Sequence, residues 1–491
     1  MRGLARSSTA NERVRDPNSV FTSAELIKRL DAVVGKTLEQ ADSFHVFEKF
    51  SKNKGIAGHV IEKSVLGYNL NNDPSPDIEI DGTPTEVKTT GMRKNNKKFV
   101  AKEPVSITGV FIDLIVKEEF ERSHFWSKAR QLLFVYYFYD YNGPYNVQEY
   151  RRFIIEGYEL HIISDEDKTV LESDWTIVRD YICEAKKDPE PELRYPAISH
   201  LQLMYLDIAP KYPNTPRFRF KRTYVNGFIQ EHFYGKTQAR LPFVFDKYAQ
   251  FDDKCARLTA RYKGMTVFEL LDYFSIVTDS IHKGISERII LKLFDSDAQK
   301  INDIAIFNKL GLIGKSIVQS VNGSKTEDMK LFKIDFDEIR NPDLEFEDSQ
   351  FCTYFRDNQF LLILFQEQTK KNVKFGENRF VGFRRISFSE EFIQNEVKPV
   401  WNIIRRLVNN RELKEVFEYD KNGNKRLTPK TKVPVSAPNF PKAEDHVVFV
   451  RGSGSDKTKL PQEINGIKMI TQYFWIRGAD MSDAINGDKS F

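Results

Sequence analysis

The sequence predicts an α/β chain built as two successive domains, and three observations lead there. At 491 residues the chain is too long for one ordinary core. Helical spacing over residues 52–67 gives way to strand alternation over 77–90, and further apolar runs have the length of buried strands. A weak internal repeat sets residues 54–63 against 283–292.

Composition narrows the class without naming a partner. The net charge of +4 is too small to announce a nucleic-acid binder, but it allows one if charge is gathered locally. Cys183, Cys255 and Cys352 lie far apart with no CxxC, which argues against a disulfide scaffold or zinc ribbon and fits a reducing cytoplasm. No stretch approaches the length of a membrane span, so no membrane is expected. The start, MRGLARSSTANERVRDPNS, is basic, lacks an apolar signal core and reads as a loose tail.

The first helical pattern is KNKGIAGHVIEKSVLG, residues 52–67. Ile56, Val60 and Ile61 recur at helical spacing, Lys54 and Gly55 open the helix, and Glu62 lies two turns in. Next comes PSPDIEIDGTPTEVKTTG, residues 74–91. Ile78 and Ile80 alternate with acids, Asp81-Gly82 is a turn signal, and residues 85–90 alternate again, so a β-hairpin is expected. Glu86 and Lys88, two apart, leave one face, and Asp77 can sit opposite them on the adjoining strand. LLFVYYFY (132–139) reads as a buried strand, with Lys128 at its mouth.

Two converging carboxylates bind a hard divalent cation, most plausibly Mg²⁺, and the Val87 carbonyl can complete its shell. A lysine beside the metal can orient or deprotonate water and offset phosphate charge, a set suited to phosphodiester hydrolysis. Glu62 can join the metal shell or position the water, and Lys128 can contact the scissile phosphate. The same spacing also fits a cross-strand ion pair, with Glu62 and Lys128 merely solvated.

Taken in order, Lys54-Gly55, Glu62, Asp77, Glu86-Val87-Lys88 and Lys128 resemble the MutH-like endonucleases of the PD-(D/E)xK class, and GKTLEQ (35–40) looks like that family's opening. The likeness covers residues 24–140 well and the remainder more loosely. In length and layout the chain is similar to the two-domain Sau-type enzymes of the group. The resemblance implies a mixed sheet flanked by helices in each of two tandem restriction-endonuclease-fold domains. It further implies that Asp77 and Glu86 hold metal, Lys88 acts on the water, and Glu62 and Lys128 support them.

The repeat continues beyond its first match. Gly35 and Thr37 recur as Gly264 and Thr266, and HLQLMYLDIAPK (200–211) aligns with HVVFVRGSGSDK (446–457). Where chemistry resides the copies part: Glu62 is answered by Leu291 and Glu86 by Ile313, Lys88 persists as Lys315, and Lys128 falls opposite Arg356. A site lacking its second carboxylate holds Mg²⁺ poorly. The expected organisation is a catalytic domain over residues 1–245 and a degenerate, DNA-binding effector domain over 246–491.

Basic groups mark where duplex is met. GMRKNNKKF (91–99) offers Arg93, Lys94, Asn95 and Asn96, of types suited to phosphates and to guanine or adenine edges. Arg219, Lys221 and Arg222 alternate with aromatics in TPRFRFKRTYVNGF (215–228), and YFWIRGADM (473–481) with Arg477 is the second copy's counterpart. Arg451, with Lys54, Lys315 and Arg356, completes the expected DNA contacts. The resulting expectation is a cytoplasmic, Mg²⁺-dependent type II restriction endonuclease of a restriction-modification system. By resemblance it cuts double-stranded DNA at GATC, engages two sites per active complex, and admits a DNA-induced dimer. The rivals are a MutH-type nicking repair endonuclease and a non-catalytic DNA-binding or regulatory protein.

Overall fold

A computed structural model describes residues 17–50, 55–69, 75–95, 98–141, 146–235, 238–323, 326–369, 374–420, 422–427, 434–454, 459–487 and 491. Lys54 and Asn96 lie outside the described residues, as does the side chain of Asn95. The chain divides into two compact units, one running to Arg222 and the other from Thr223 onward. The expected division at 245/246 therefore falls inside the second unit. The reason is the helix Arg222–Tyr234, which buries Tyr224, Val225, Phe228 and Ile229 and sets Gly227 against the Lys309 side chain. None of the helices in the described residues is long and apolar enough to cross a membrane.

The first unit carries a mixed sheet of β1 (Val20–Phe21), β2 (Ile78–Ile80), β3 (Thr83–Asn95), β6 (Gln131–Phe138) and β7 (Ile155–Ile162), in that order, with β4 (Lys98–Ala101) paired to β3. Asp81 and Gly82, at φ 46° and 80°, make the two-residue turn between β2 and β3. Positive φ at both positions is what a tight hairpin demands and what Asp-Gly tolerates. β6 runs parallel to β3 and antiparallel to β7. As an inner strand covered on both faces, it is buried along nearly its whole length. A second, antiparallel sheet orders β5 (Val105–Gly109), β9 (Arg217–Phe220) and β8 (Leu206–Ala209). The helix Asp165–Ala185 is tied to β8 by Asp174, whose carboxylate accepts the Met204, Tyr205 and Leu206 N–H groups at 2.7, 2.7 and 3.0 Å.

The second unit repeats the inner part of this plan. β10 (Leu312–Gln319) runs parallel to β12 (Gln359–Gln366), which pairs antiparallel with β13 (Arg379–Ile386). β11 (Met329–Lys333), β19 (Gln472–Ile476) and β16 (Val448–Gly452) form the antiparallel sheet. The hairpins β14 (Glu415–Phe417) with β15 (Ser436–Pro438) and β17 (Gln462–Ile464) with β18 (Ile467–Met469) are additions.

The two units agree in detail. β6 shifts register against β7 between Tyr136 and Tyr137, and β12 against β13 between Leu364 and Phe365. Thr37 and Thr266 both close capping boxes, and the turns before them bond alike, Gly35 N–H to Ile155 O and Gly264 N–H to Phe380 O, each at 2.8 Å. Ser123 and Ser349 cap the helices that lead into β6 and β12. Pairing also corrects one alignment. Leu206 faces Phe220 as Val448 faces Ile476, so residues 446–457 match 200–211 four positions away from the register read in the sequence.

Candidate active site

The hairpin brings the acids together as its register requires. Ile78 pairs with Thr85, so Asp77 stands opposite Glu86. Asp77 Oδ2 accepts the Val87 N–H at 2.9 Å. The N–H and C=O of one residue leave an extended strand on the same edge, so the Val87 carbonyl is turned toward Asp77 as well. Glu86 and Lys88 share a face, with Lys88 Nζ donating to Glu86 Oε1 at 2.8 Å.

Lys128 arrives from the last turn of the helix His124–Ala129, whose cap Ser123 accepts the Trp126 N–H at 3.0 Å. β6 sets Leu132 beside Glu86. From just before that strand Lys128 reaches both Glu86 oxygens, at 3.0 and 2.9 Å. Glu86 and Lys128 are only 3% and 8% exposed, so these charge-assisted bonds are little screened. Lys128 was expected to face a phosphate; in this structure it clamps Glu86.

Glu62 comes from a helix that changes character. Ile56–His59 is α-helical, but Val60–Leu66 widens to a π-turn, a distortion frequent at functional sites. Gly67, at φ 85°, ends it. A Cβ on Gly58 would meet Thr89 Oγ1 at 3.5 Å and Glu62 Oε1 at 3.7 Å, so the glutamate lies under this turn beside β3. Burial, and then the charge of Asp77, push the Glu62 carboxyl up to about 8, with Glu86 adding to the rise and Lys88 and Lys128 opposing it. Burial and Glu86 push Asp77 up to about 6.

Sequence reasoning missed Tyr68. It is 2% exposed, and its buried Oη has no hydrogen-bond partner among the described residues. Burial raises its pKa first, and Glu62, Asp77 and Glu86 raise it further, so the phenol borders the acid cluster. A lone tyrosine just past the helix end carries no signal in sequence; only packing reveals it.

Three carboxyls thus lie close to two ammonium groups, and desolvation and mutual repulsion raise the pKa values of Glu62 and Asp77. Such oxygen donors suit a hard divalent cation. Among the described residues no group of three or more His, Cys, Asp or Glu side chains converges as a ready-made metal cage.

The expected DNA-contacting groups that the structure describes meet other partners in the fold. The Arg93 guanidinium lies over the Tyr139 ring at 5.2 Å, and Lys94 over Phe138 at 4.9 Å. Asn95 pairs with Lys98 in the backbone ladder. Arg219 bonds Asp207 at 2.6 Å, Lys221 the Leu203 carbonyl, and Arg222 the Lys102 carbonyl at 3.5 Å. In the second unit Lys315 donates to the Lys330 carbonyl at 3.1 Å. Arg356 bonds Glu390 at 2.9 Å, Arg451 bonds Asp328 at 2.8 Å and Arg477 bonds Asp480 at 2.5 Å. Arg356 matches Lys128 when counted back from the strand. The helix Gln350–Asp357 has eight residues against six in His124–Ala129, so counting from the serine cap gives Tyr354 instead.

Comparison with known proteins fits this geometry. The profile of the family described as DNA mismatch repair enzyme MutH matches residues 66–174, a span that holds Asp77, Glu86, Lys88 and Lys128 and begins just after Glu62. The type II restriction enzyme Sau3AI of Staphylococcus aureus is 23% identical over 506 residues, covering 93% of this chain and 97% of that protein. With its acid–lysine cluster inside the matched span and its likeness running through both units, the chain resembles the MutH-like restriction endonucleases of the Sau type.

Proposed function

We propose that the chain hydrolyses phosphodiester bonds in double-stranded DNA at a short specific site, with Mg²⁺ as cofactor and the first unit as the cutting half. The observation that carries this reading is Glu86, buried opposite Asp77 and gripped by two lysines. A solvated cross-strand ion pair has no use for a second, buried lysine at both oxygens.

The donor set fits the cation. Asp77, Glu86 and the Val87 carbonyl are the groups that would hold it, and the unpartnered Tyr68 Oη marks polar space beside them. When bound, a divalent ion makes water a nucleophile near neutral pH and offsets the charge on the phosphate. Lys128 keeps Glu86 from rotating away. Lys88, one proton committed to Glu86, directs its remaining donors to the attacking water and to charge building on the phosphate. Glu62 positions water from behind the hairpin.

The second unit we read as a DNA-binding copy that does not cut. The same strand pair that sets Glu86 beside Leu132 sets Ile313 beside Phe360, so a methyl-bearing side chain occupies the carboxylate's place. GATC as target, two sites per active complex and DNA-induced dimerisation belong to the same proposal and rest on the likeness to Sau-type enzymes. Digestion of a supercoiled plasmid with and without Mg²⁺, followed by sequencing of the ends, tests it. Mg²⁺-dependent linear fragments ending at one short sequence are expected. Nicked circles alone would favour a nicking repair enzyme, and intact plasmid a binder.

A further inference from the structure

The second unit has a cleft of about 240 Å³ at the place where the first unit holds its acid cluster. Lys283, Lys315, Lys330, Glu327, Asp328 and Trp475 line it. We propose that this cleft is a phosphate-binding pocket anchored by Lys315, and that it grips a backbone phosphate of duplex DNA without any metal ion. The source of the phosphate rests on the reading of this unit as DNA-binding; the pocket itself does not.

Lys315 is paired with Leu362 as Lys88 is paired with Phe134. Lys88 has Glu86 two residues earlier, at 2.8 Å. Lys315 has Ile313, and among the described residues its amine donates to the Lys330 carbonyl, at 3.1 Å. The Lys330 amine lies 4.7 Å from the Tyr473 ring centroid. Among the described residues no salt bridge joins either lysine to an acid. The two acids of the cleft already have partners. Glu327 pairs with Lys283 at 3.0 Å, and Asp328 pairs with Arg451 at 2.8 Å and accepts the Gly478 N–H at 2.8 Å.

The cleft therefore carries surplus positive charge. Burial, with the charge of Lys330, pushes the Lys315 amine down to about 8. A half-buried ammonium without a counter-charge is costly, and a bound anion removes that cost. A cation would meet lysines rather than free carboxylates. With Ile313 in place of the glutamate, the cleft suits an anion rather than a cation.

The test uses the full chain in EDTA. Inorganic phosphate is titrated by calorimetry, and a short duplex is then added as competitor. Saturable phosphate binding is expected, weakened about tenfold or more in Lys315→Met and retained in Lys315→Arg, with duplex displacing phosphate. Lys315→Met removes a half-buried, unpaired charge, so its melting temperature should not fall, and lost binding cannot be put down to unfolding. Binding lost in Lys315→Met but not displaced by duplex would keep the pocket, assign it to a free phosphate monoester, and refute the backbone grip. Absence of phosphate binding, or binding indifferent to Lys315→Met, would overturn the proposal.

Discussion

On β3 the step from Glu86 to Lys88 keeps a carboxylate beside its ammonium, and Lys128 closes on the same carboxylate from below β6. On β10 the step from Ile313 to Lys315 keeps the ammonium and removes its partner, while Arg356 turns to Glu390. Strand order, bulge position and helix caps are shared; the charge chemistry at the strand mouth is not. The difference teaches that this scaffold sets where the lysines stand, whereas the side chains around them decide which partners those lysines keep.

The comparison breaks most sharply at Glu86 and Lys88. Glu86→Ala or Lys88→Ala should slow cleavage about 10³-fold or more, some 4 kcal/mol of transition-state stabilisation. Duplex binding should survive, since affinity comes mainly from phosphate contacts elsewhere. Gel-based cleavage and binding assays on the same preparations would show the split.

Lys315→Met should have the opposite character, gaining stability. The folded-state pKa is depressed from 10.5 to about 8, so the unfolded chain binds more protons between those values and wild-type stability rises with pH across that window. Below pH 8 the full cost of burying the ammonium is present. The variant should therefore be more stable than wild type by about 2–3 kcal/mol at pH 7, with the gap closing toward pH 10. Chemical denaturation at the two pH values measures it; a gap that does not narrow would place the charge penalty elsewhere.

A smaller effect tests why two copies are kept. If the second unit holds another recognition site, coupling of about 1–3 kcal/mol should favour the cutting state, and two sites on one DNA meet at high effective concentration. Two-site plasmids should be cut severalfold faster than one-site plasmids, and a short duplex carrying the site should stimulate the latter. Equal rates with no stimulation would leave the second unit as a clamp.

The smallest expected change is from Ile313→Glu. It gives Lys315 a partner and should weaken phosphate binding, yet no cutting by the second unit should appear. Leu291 still stands where Glu62 would be needed, buried in the helix Ser286–Leu293, and groups acting as a unit are strongly non-additive. Cleavage by the Glu86→Ala/Ile313→Glu double variant would refute that.

Much of this was legible in the sequence because it is local. Asp81-Gly82 fixes a two-residue turn, the turn fixes the register, and the register sets Asp77 opposite Glu86. The apolar run of β6 and the paired glycine–threonine caps were equally plain. What escaped depends on contacts distant in sequence. That Lys128 reaches back to Glu86 is invisible in the sequence, because the two are brought together only by the pairing of β3 with β6. The π-turn under Glu62 and the orphaned Tyr68 hydroxyl arise from packing against β3 and the acids. Arg219, Arg451 and Arg477 look free in sequence, yet each meets an acid in the fold. The helix Arg222–Tyr234 joins the second unit through its apolar face, which no composition shift announces.

Asp77→Asn tests the central claim most directly. Asparagine keeps an acceptor for the Val87 N–H and so preserves the hairpin, while removing one of the two facing charges. In single-turnover cleavage of a plasmid at saturating Mg²⁺, the rate should fall by about 10²-fold or more, with duplex affinity in EDTA unchanged within about twofold. A rate near that of wild type would remove the active site from this hairpin.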